Sequence, residues 1–171
     1  MDTGMSSLGI DFINELKLQP HPEGGYYSRT YESAEMIPAD ALPDRFGADR
    51  RISTAIYFLL EGTEYSAFHR IKSDELWHFY AGEGLHIHVI HPDGRGEVLL
   101  LGNDLANGYR FQQLVKAGCW FTSRPATTNS FALVVCTVAP GFDFADFEMA
   151  KKEQLLNEFP QHKEWIEQLC R

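Results

Sequence analysis

The sequence predicts an all-β-dominated single domain, an antiparallel sandwich or barrel, with a short N-terminal helix and C-terminal helices. Three observations predict it. Short strand-type segments follow one another from Ser53 to Val138, the breaks between them carry turn residues, and past Pro140-Gly141 the apolar spacing turns helical.

From Ser7 to Leu18, Ile10, Ile13 and Leu16 recur at three-residue steps, a helix pattern that stops at the turn-rich Gln19-Pro20-His21-Pro22-Glu23-Gly24-Gly25. Two glycines before two tyrosines mark a tight turn that enters a strand, Tyr26 to Glu32. Pro38 to Arg51 is polar and aperiodic, a long excursion. Strands are then predicted at Ser53 to Leu60, Tyr65 to Ile71, Leu76 to Tyr80, Leu85 to Ile90, Val98 to Leu101, Phe111 to Val115 and Phe131 to Val138. Glycine, proline, asparagine and aspartate punctuate them, as at Glu61-Gly62, Pro92-Asp93-Gly94 and Asn107-Gly108. Asp146 stands where an N-cap belongs, Phe147 to Phe159 has helical character, and Pro160 opens a second short helix whose Trp165, Ile166 and Leu169 form one stripe for packing on the sandwich. The whole chain, 1–171, reads as one domain, with a barrel core over about 20–142 and a helical segment over 146–170.

A chain of 171 residues, 44% hydrophobic and 23% charged, has globular composition. Its formal charge of -9, from 24 acidic and 15 basic residues, argues against nucleic-acid and anionic-membrane partners, whose affinity rests on lysine and arginine. No apolar run approaches the roughly 20 residues that span a bilayer, and MDTGMSSLGIDF lacks the basic start and apolar core of a leader, so a cytoplasmic location is expected. Cys119, Cys136 and Cys170 are far apart and odd in number, which reads as reduced thiols.

Between Gly62 and Gly82 runs GTEYSAFHRIKSDELWHFYAG. It resembles the first signature of the cupin superfamily, G-x5-H-x-H-x3-4-E-x6-G, whose two histidines and glutamate hold a divalent metal inside a small jelly roll. Here Gly62 is followed by six residues, then His69, then Ile71 in the place of the second histidine, then Glu75 and Gly82. In the counterpart of the second signature Gly118 matches, whereas the fourth-ligand position is Phe121. One histidine and one glutamate hold a transition metal weakly, so a divalent metal is possible but disfavoured and no metal ligands are assigned.

If Glu75 points inward, the period of two sends Trp77 and Phe79 inward and His78 outward; on the next strand Leu85, Ile87 and Val89 take the core and leave His86 and His88 outside. A buried glutamate needs a partner, and His69 is expected to supply it, in a dyad that suits a general base.

Leu18 with Pro20 to Tyr27, Ser53 to Leu60, Ser73-Asp74-Glu75 with Trp77 to Tyr80, and Thr137 to Phe142 with Phe147-Glu148 resemble a narrower group of cupin-like proteins of unknown function. That resemblance implies the cupin double-stranded β-helix, a ligand cavity and homodimers pairing through edge strands. The expected activity is small-molecule binding without a cofactor, in a pocket where His69 and Glu75 meet Tyr27, Arg29, Tyr57, Phe68, Ile71, Trp77, Phe79 and Phe121. Two alternatives stand beside it: a sugar-nucleotide epimerase or isomerase with His69 as base, and a divalent-metal cupin enzyme. Arg29, Arg51 and Arg70 are candidates to meet an anion.

Overall fold

The computed structural model describes residues 7–171; the stretch 1–6, on which part of the leader reading fell, lies outside them. Helix α1 (Ser7–Glu15) is followed by β1 (Gln19–Pro20), β2 (Tyr26–Glu32), β3 (Met36–Ile37), β4 (Arg50–Arg51), β5 (Thr54–Glu61), β6 (Ser66–Arg70) and β7 (Asp74–Gly82). Then come β8 (Leu85–Ile90), β9 (Gly96–Leu101), β10 (Gln112–Val115), β11 (Trp120–Pro125), β12 (Phe131–Ala139), β13 (Glu148–Met149), α2 (Lys152–Glu158) and α3 (Lys163–Leu169).

One sheet has six strands in the order β1-β2-β5-β12-β7-β10, the other five in the order β13-β6-β11-β8-β9. Neighbours within both run antiparallel. Alternation along the strands sends Phe58, Trp77, Val134 and Cys136 from the first sheet against Leu85, Ile87, Val89 and Phe121 from the second, and this shared core closes the jelly roll. Outside the five-stranded sheet, Leu155, Phe159, Ile166 and Leu169 of the C-terminal segment cover Phe68, Ile90 and Trp120. Outside the six-stranded sheet, Phe12, Ile13 and Leu16 pack on Leu59, Phe131 and Leu133. Among the described residues no helix is long and apolar enough to cross a membrane.

Four differences from the expected elements have physical reasons. Helix α1 stops at Glu15 because Lys17 turns to φ 52°, in the left-handed region, and Leu18 is buried as extended chain. The excursion over 38–51 closes on itself through the small β3-β4 ladder. Strand β11 was not anticipated: Phe121 faces the core and Trp120 the C-terminal helices, so burial on both faces erases the alternation. Asp146 caps no helix. Its carboxylate takes two hydrogen bonds from the buried Arg50, Nε at 2.6 Å and Nη2 at 2.7 Å, and the chain after it joins β6 as strand β13 before α2 begins at Lys152.

The outer histidines divide. His78 lies on the outer face of the six-stranded sheet, with Gln112 at 3.1 Å and Thr137 at 3.3 Å. His86 bonds the Tyr109 hydroxyl at 2.8 Å. His88 points away from the barrel core as expected, yet it is only 4% exposed, because Trp165 of α3 lies edge-on over it at 5.0 Å.

Candidate functional site

A cavity of about 50 Å³ opens at one end of the barrel. Two histidines and two glutamates are among its lining residues: His21, Glu23, His69 and Glu75. The first two come from the β1–β2 turn, the others from β6 and β7.

The turn explains how two of them enter. Gly24 and Gly25 hold φ of 114° and 72°, and a Cβ on either would meet a backbone oxygen, Tyr65 at 2.3 Å and Leu59 at 2.7 Å. The His21 amide donates to the Gly25 carbonyl at 2.9 Å, and the Gly24 amide to the His21 carbonyl at 3.0 Å. This tight reversal lays Glu23 against β6, where the Ala67 amide donates to the Glu23 carbonyl at 2.7 Å. The Ala67 carbonyl accepts from His69 Nδ1, also at 2.7 Å. One residue of β6 therefore positions both the carboxyl-bearing turn and the imidazole.

The consequence is chemical. A carbonyl only accepts, so the proton of neutral His69 sits on Nδ1 and the Nε2 lone pair faces Glu23 Oε2 at 3.1 Å. His21 Nδ1 accepts from the Glu23 amide at 3.3 Å and stands 3.6 Å from the same Oε2. Burial pushes Glu23 well above the usual carboxyl range, the Glu75 charge pushes the same way, and Arg171 opposes both. Burial lowers His69 to about 4, against an upward pull from the Ala67 carbonyl and with a further downward push from His21; burial alone brings His21 to about 4. Burial thus favours the uncharged form of both groups, the Glu23 carboxyl and the His69 imidazole, which stand in contact. Burial raises Glu75 to about 7, opposed by the Cys136 thiol and the Trp77 indole, although Trp77 Nε1 makes no hydrogen bond of normal geometry among the described residues.

Tyr27, Arg29, Ile71 and Trp77 line this cavity, as do His69 and Glu75. The carboxyl in contact with His69 is that of Glu23, not Glu75. Four expected lining residues lie elsewhere. Phe68 is adjacent to His69 on a strand, so it faces the C-terminal helices. Tyr57 sits on the outer face of β5, 6.1 Å from Tyr80. Phe79 packs against the closed part of the core. Phe121 underlies the His69 ring at 4.1 Å without reaching the cavity wall. Arg29 and Arg51 both pair with Glu32.

The sequence reading leaves out His21 and Glu23, because the glycines alone account for a turn there. Two titratable residues between prolines and a Gly-Gly pair were the available signal. Also unanticipated is the aromatic strap of Phe142, Phe144 and Phe147, with ring centroids 5.0 to 6.2 Å apart, which forms one wall of the cavity.

A divalent metal does not fit these residues. Ile71 offers hydrocarbon and Phe121 packs on the imidazole, at the two positions where the resembled signatures carry ligands. Among the described residues no three His, Cys, Asp or Glu side chains are grouped to hold an ion.

Two antiparallel sheets closed around an inward histidine and glutamate from consecutive strands define a cupin. Residues 10–150 match the family described as cupin superfamily (DUF985), and the chain belongs to that family. Protein SO0799 of Shewanella oneidensis, known from a crystal structure, is 43% identical with a TM-score of 0.85, over 94% of this chain and 96% of its own. A hypothetical protein from Leishmania major is 36% identical with a TM-score of 0.85, over 94% and 97%. The Saccharomyces cerevisiae protein YML079W, described as uncharacterized, is 30% identical over 84% of this chain and 76% of its own.

Proposed function

We propose that the chain is a small-molecule-binding cupin whose ligand meets the Glu23–His69 pair and Glu75 inside the barrel, held by protein groups without a metal or other cofactor. One observation carries this reading: two histidines and two glutamates converge on a largely apolar cavity, where burial disfavours the charged form of each. Tyr27, Phe58 and Trp77 offer ring faces to a compact ligand, while the carboxyl and imidazole groups offer hydrogen bonds to hydroxyl or carbonyl oxygens. The test is a thermal-shift screen of sugars, sugar acids, sugar nucleotides and aromatic acids on the native chain and on Glu23→Gln, because a ligand of the folded state raises Tm by mass action. Hits that disappear in Glu23→Gln support the reading; hits unaffected by it, or none at all, defeat it.

Isomerase or epimerase chemistry is the second reading, and the position of Glu75 near 7 favours it, since a carboxyl titrating there is suited to general base catalysis at neutral pH. In this reading His69 acts through Glu23, as a relay for one proton, because its Nε2 is already engaged.

We also propose a homodimer without nucleic-acid or membrane partners. Two cross-strand rows on the outer face of the six-stranded sheet support it: Tyr31, Ala55, Thr137, Leu76 and Leu114, and beside them Ser28, Tyr57, Val135, His78 and Gln112. Neither row contains a lysine, arginine, aspartate or glutamate. In a chain with a net charge of -9, such a face is where a second copy docks with least repulsion. Sedimentation of the native chain as a monomer at micromolar concentration would contradict this.

A further inference from the structure

We propose that the ligand carries an anionic group, and that this group lies outside the barrel in a basic groove while an uncharged polar end enters the cavity. The proposal rests on the pocket reading above and deepens it.

The groove, of about 450 Å³, shares two side chains with the cavity, Ile71 and Phe147. The Phe147 ring stands 5.3 Å from that of His69, so an anion in the groove lies about one side chain away from the Glu23–His69 pair. Three cations line the groove: Arg45, Arg70 and Lys72.

Their partners leave positive charge to spare. Arg45 donates Nε to the Lys72 carbonyl at 2.7 Å, lies 4.8 Å over the Phe46 ring, and has no carboxylate partner among the described residues. Its terminal nitrogens remain available for an oxyanion. Lys72 Nζ stands 3.4 Å from Asp146 Oδ1, but both oxygens of that carboxylate are already held by Arg50 at 2.6 and 2.7 Å. Arg70 is paired with Glu148 at 2.7 Å and lies 4.4 Å from the Trp120 ring, which fixes the groove's far side.

Orientation follows from charge. Inside the cavity an anion would face Glu75 in surroundings where burial disfavours charge, with no arginine or lysine among the lining residues except Arg29, which is turned to Glu32. In the groove the same anion meets Arg45, which has no carboxylate partner among the described residues, and Lys72, which shares the Asp146 carboxylate with Arg50, in a chain that is otherwise strongly acidic. The ligand class is therefore a compact hydroxyl- or carbonyl-bearing molecule with a phosphate or carboxylate on one end.

The test uses inorganic phosphate on the full chain at low ionic strength, where exposed charges are least screened. Binding is read by thermal shift and by phosphorus line broadening. Lys72→Ala and Arg45→Ala are the groove variants, and Lys151→Ala, at an exposed position outside the groove, is the charge control. Saturable binding that weakens at least tenfold in both groove variants and holds in the control supports the proposal. Absence of binding, or equal weakening in the control, overturns it. In parallel, neutral sugars and their phosphate and carboxylate derivatives are compared on the native chain and on Glu23→Gln. If neutral compounds bind through Glu23 and phosphate does not bind, the groove proposal fails and the pocket reading stands. If phosphate binds at the groove while no derivative depends on Glu23, the link between groove and cavity fails along with the pocket reading.

Discussion

His69 and His88 are both buried, at 3% and 4% exposure, and burial is the leading cause that lowers each to about 4. Their surroundings separate them. His69 faces a carboxyl group in a cavity inside the barrel, whereas His88 lies on the outer face of the same five-stranded sheet, under Trp165, with Nδ1 lacking a protein hydrogen-bond partner among the described residues. A depressed imidazole pKa therefore marks burial in both places, and only the arrangement of Glu23, His21 and Glu75 marks a site in one of them.

Four substitutions sharpen this contrast. The largest effect is expected under the helices: Ile166 is 0% exposed, and Ile166→Ala should lower stability by about 2–5 kcal/mol in denaturant titration while leaving cavity ligands bound. Loss of ligand binding in that variant would mean that the helical cover and the cavity are not independent.

Next is Glu75→Gln. The fold raises this carboxyl from 4.5 to about 7, so the folded state prefers the protonated form. Below pH 4.5 both states bind the proton and nothing is lost; between 4.5 and 7 the folded state binds more protons and stability falls as pH rises. Replacing Glu75 should therefore stabilise the protein by roughly 3 kcal/mol at pH 8 and by little at pH 4.5. The same gain at both pH values would show that the effect is packing, not ionisation.

The smallest effect belongs to His88→Phe. The folded pKa is below 6.5, so neutral His88 contributes fully above pH 6.5 and that contribution is lost as pH falls towards 4. The variant should differ by about 1 kcal/mol at pH 7, gain relative stability at pH 5, and bind cavity ligands as before. His69→Phe should share the acid-side gain but lose the ligands.

The fold was legible in the sequence where one face is core and the other is not. Leu85, Ile87 and Val89 alternate with His86 and His88, and that strand was placed with its ends and its faces. Trp120–Pro125 was not, because both faces are buried and the period vanishes. Asp146 imitates an N-cap locally, whereas its partner, Arg50, is 96 residues away, beyond the reach of capping rules. The site was legible in half. A degraded metal signature exposed His69 and Glu75, but Glu23 arrives from a turn whose contact with β6 exists only once the barrel closes. Phe68 was recoverable: as the neighbour of an inward His69 it had to face out.

The pairing of an uncharged Glu23 with an uncharged His69 is most directly tested by nitrogen NMR of the ¹⁵N-histidine-labelled protein. A neutral His69 at pH 7, protonated on Nδ1, with Nε2 accepting a hydrogen bond and no titration until the pH approaches 4, is the predicted result. An imidazole that titrates near 6.5, or one whose proton sits on Nε2, would contradict the account.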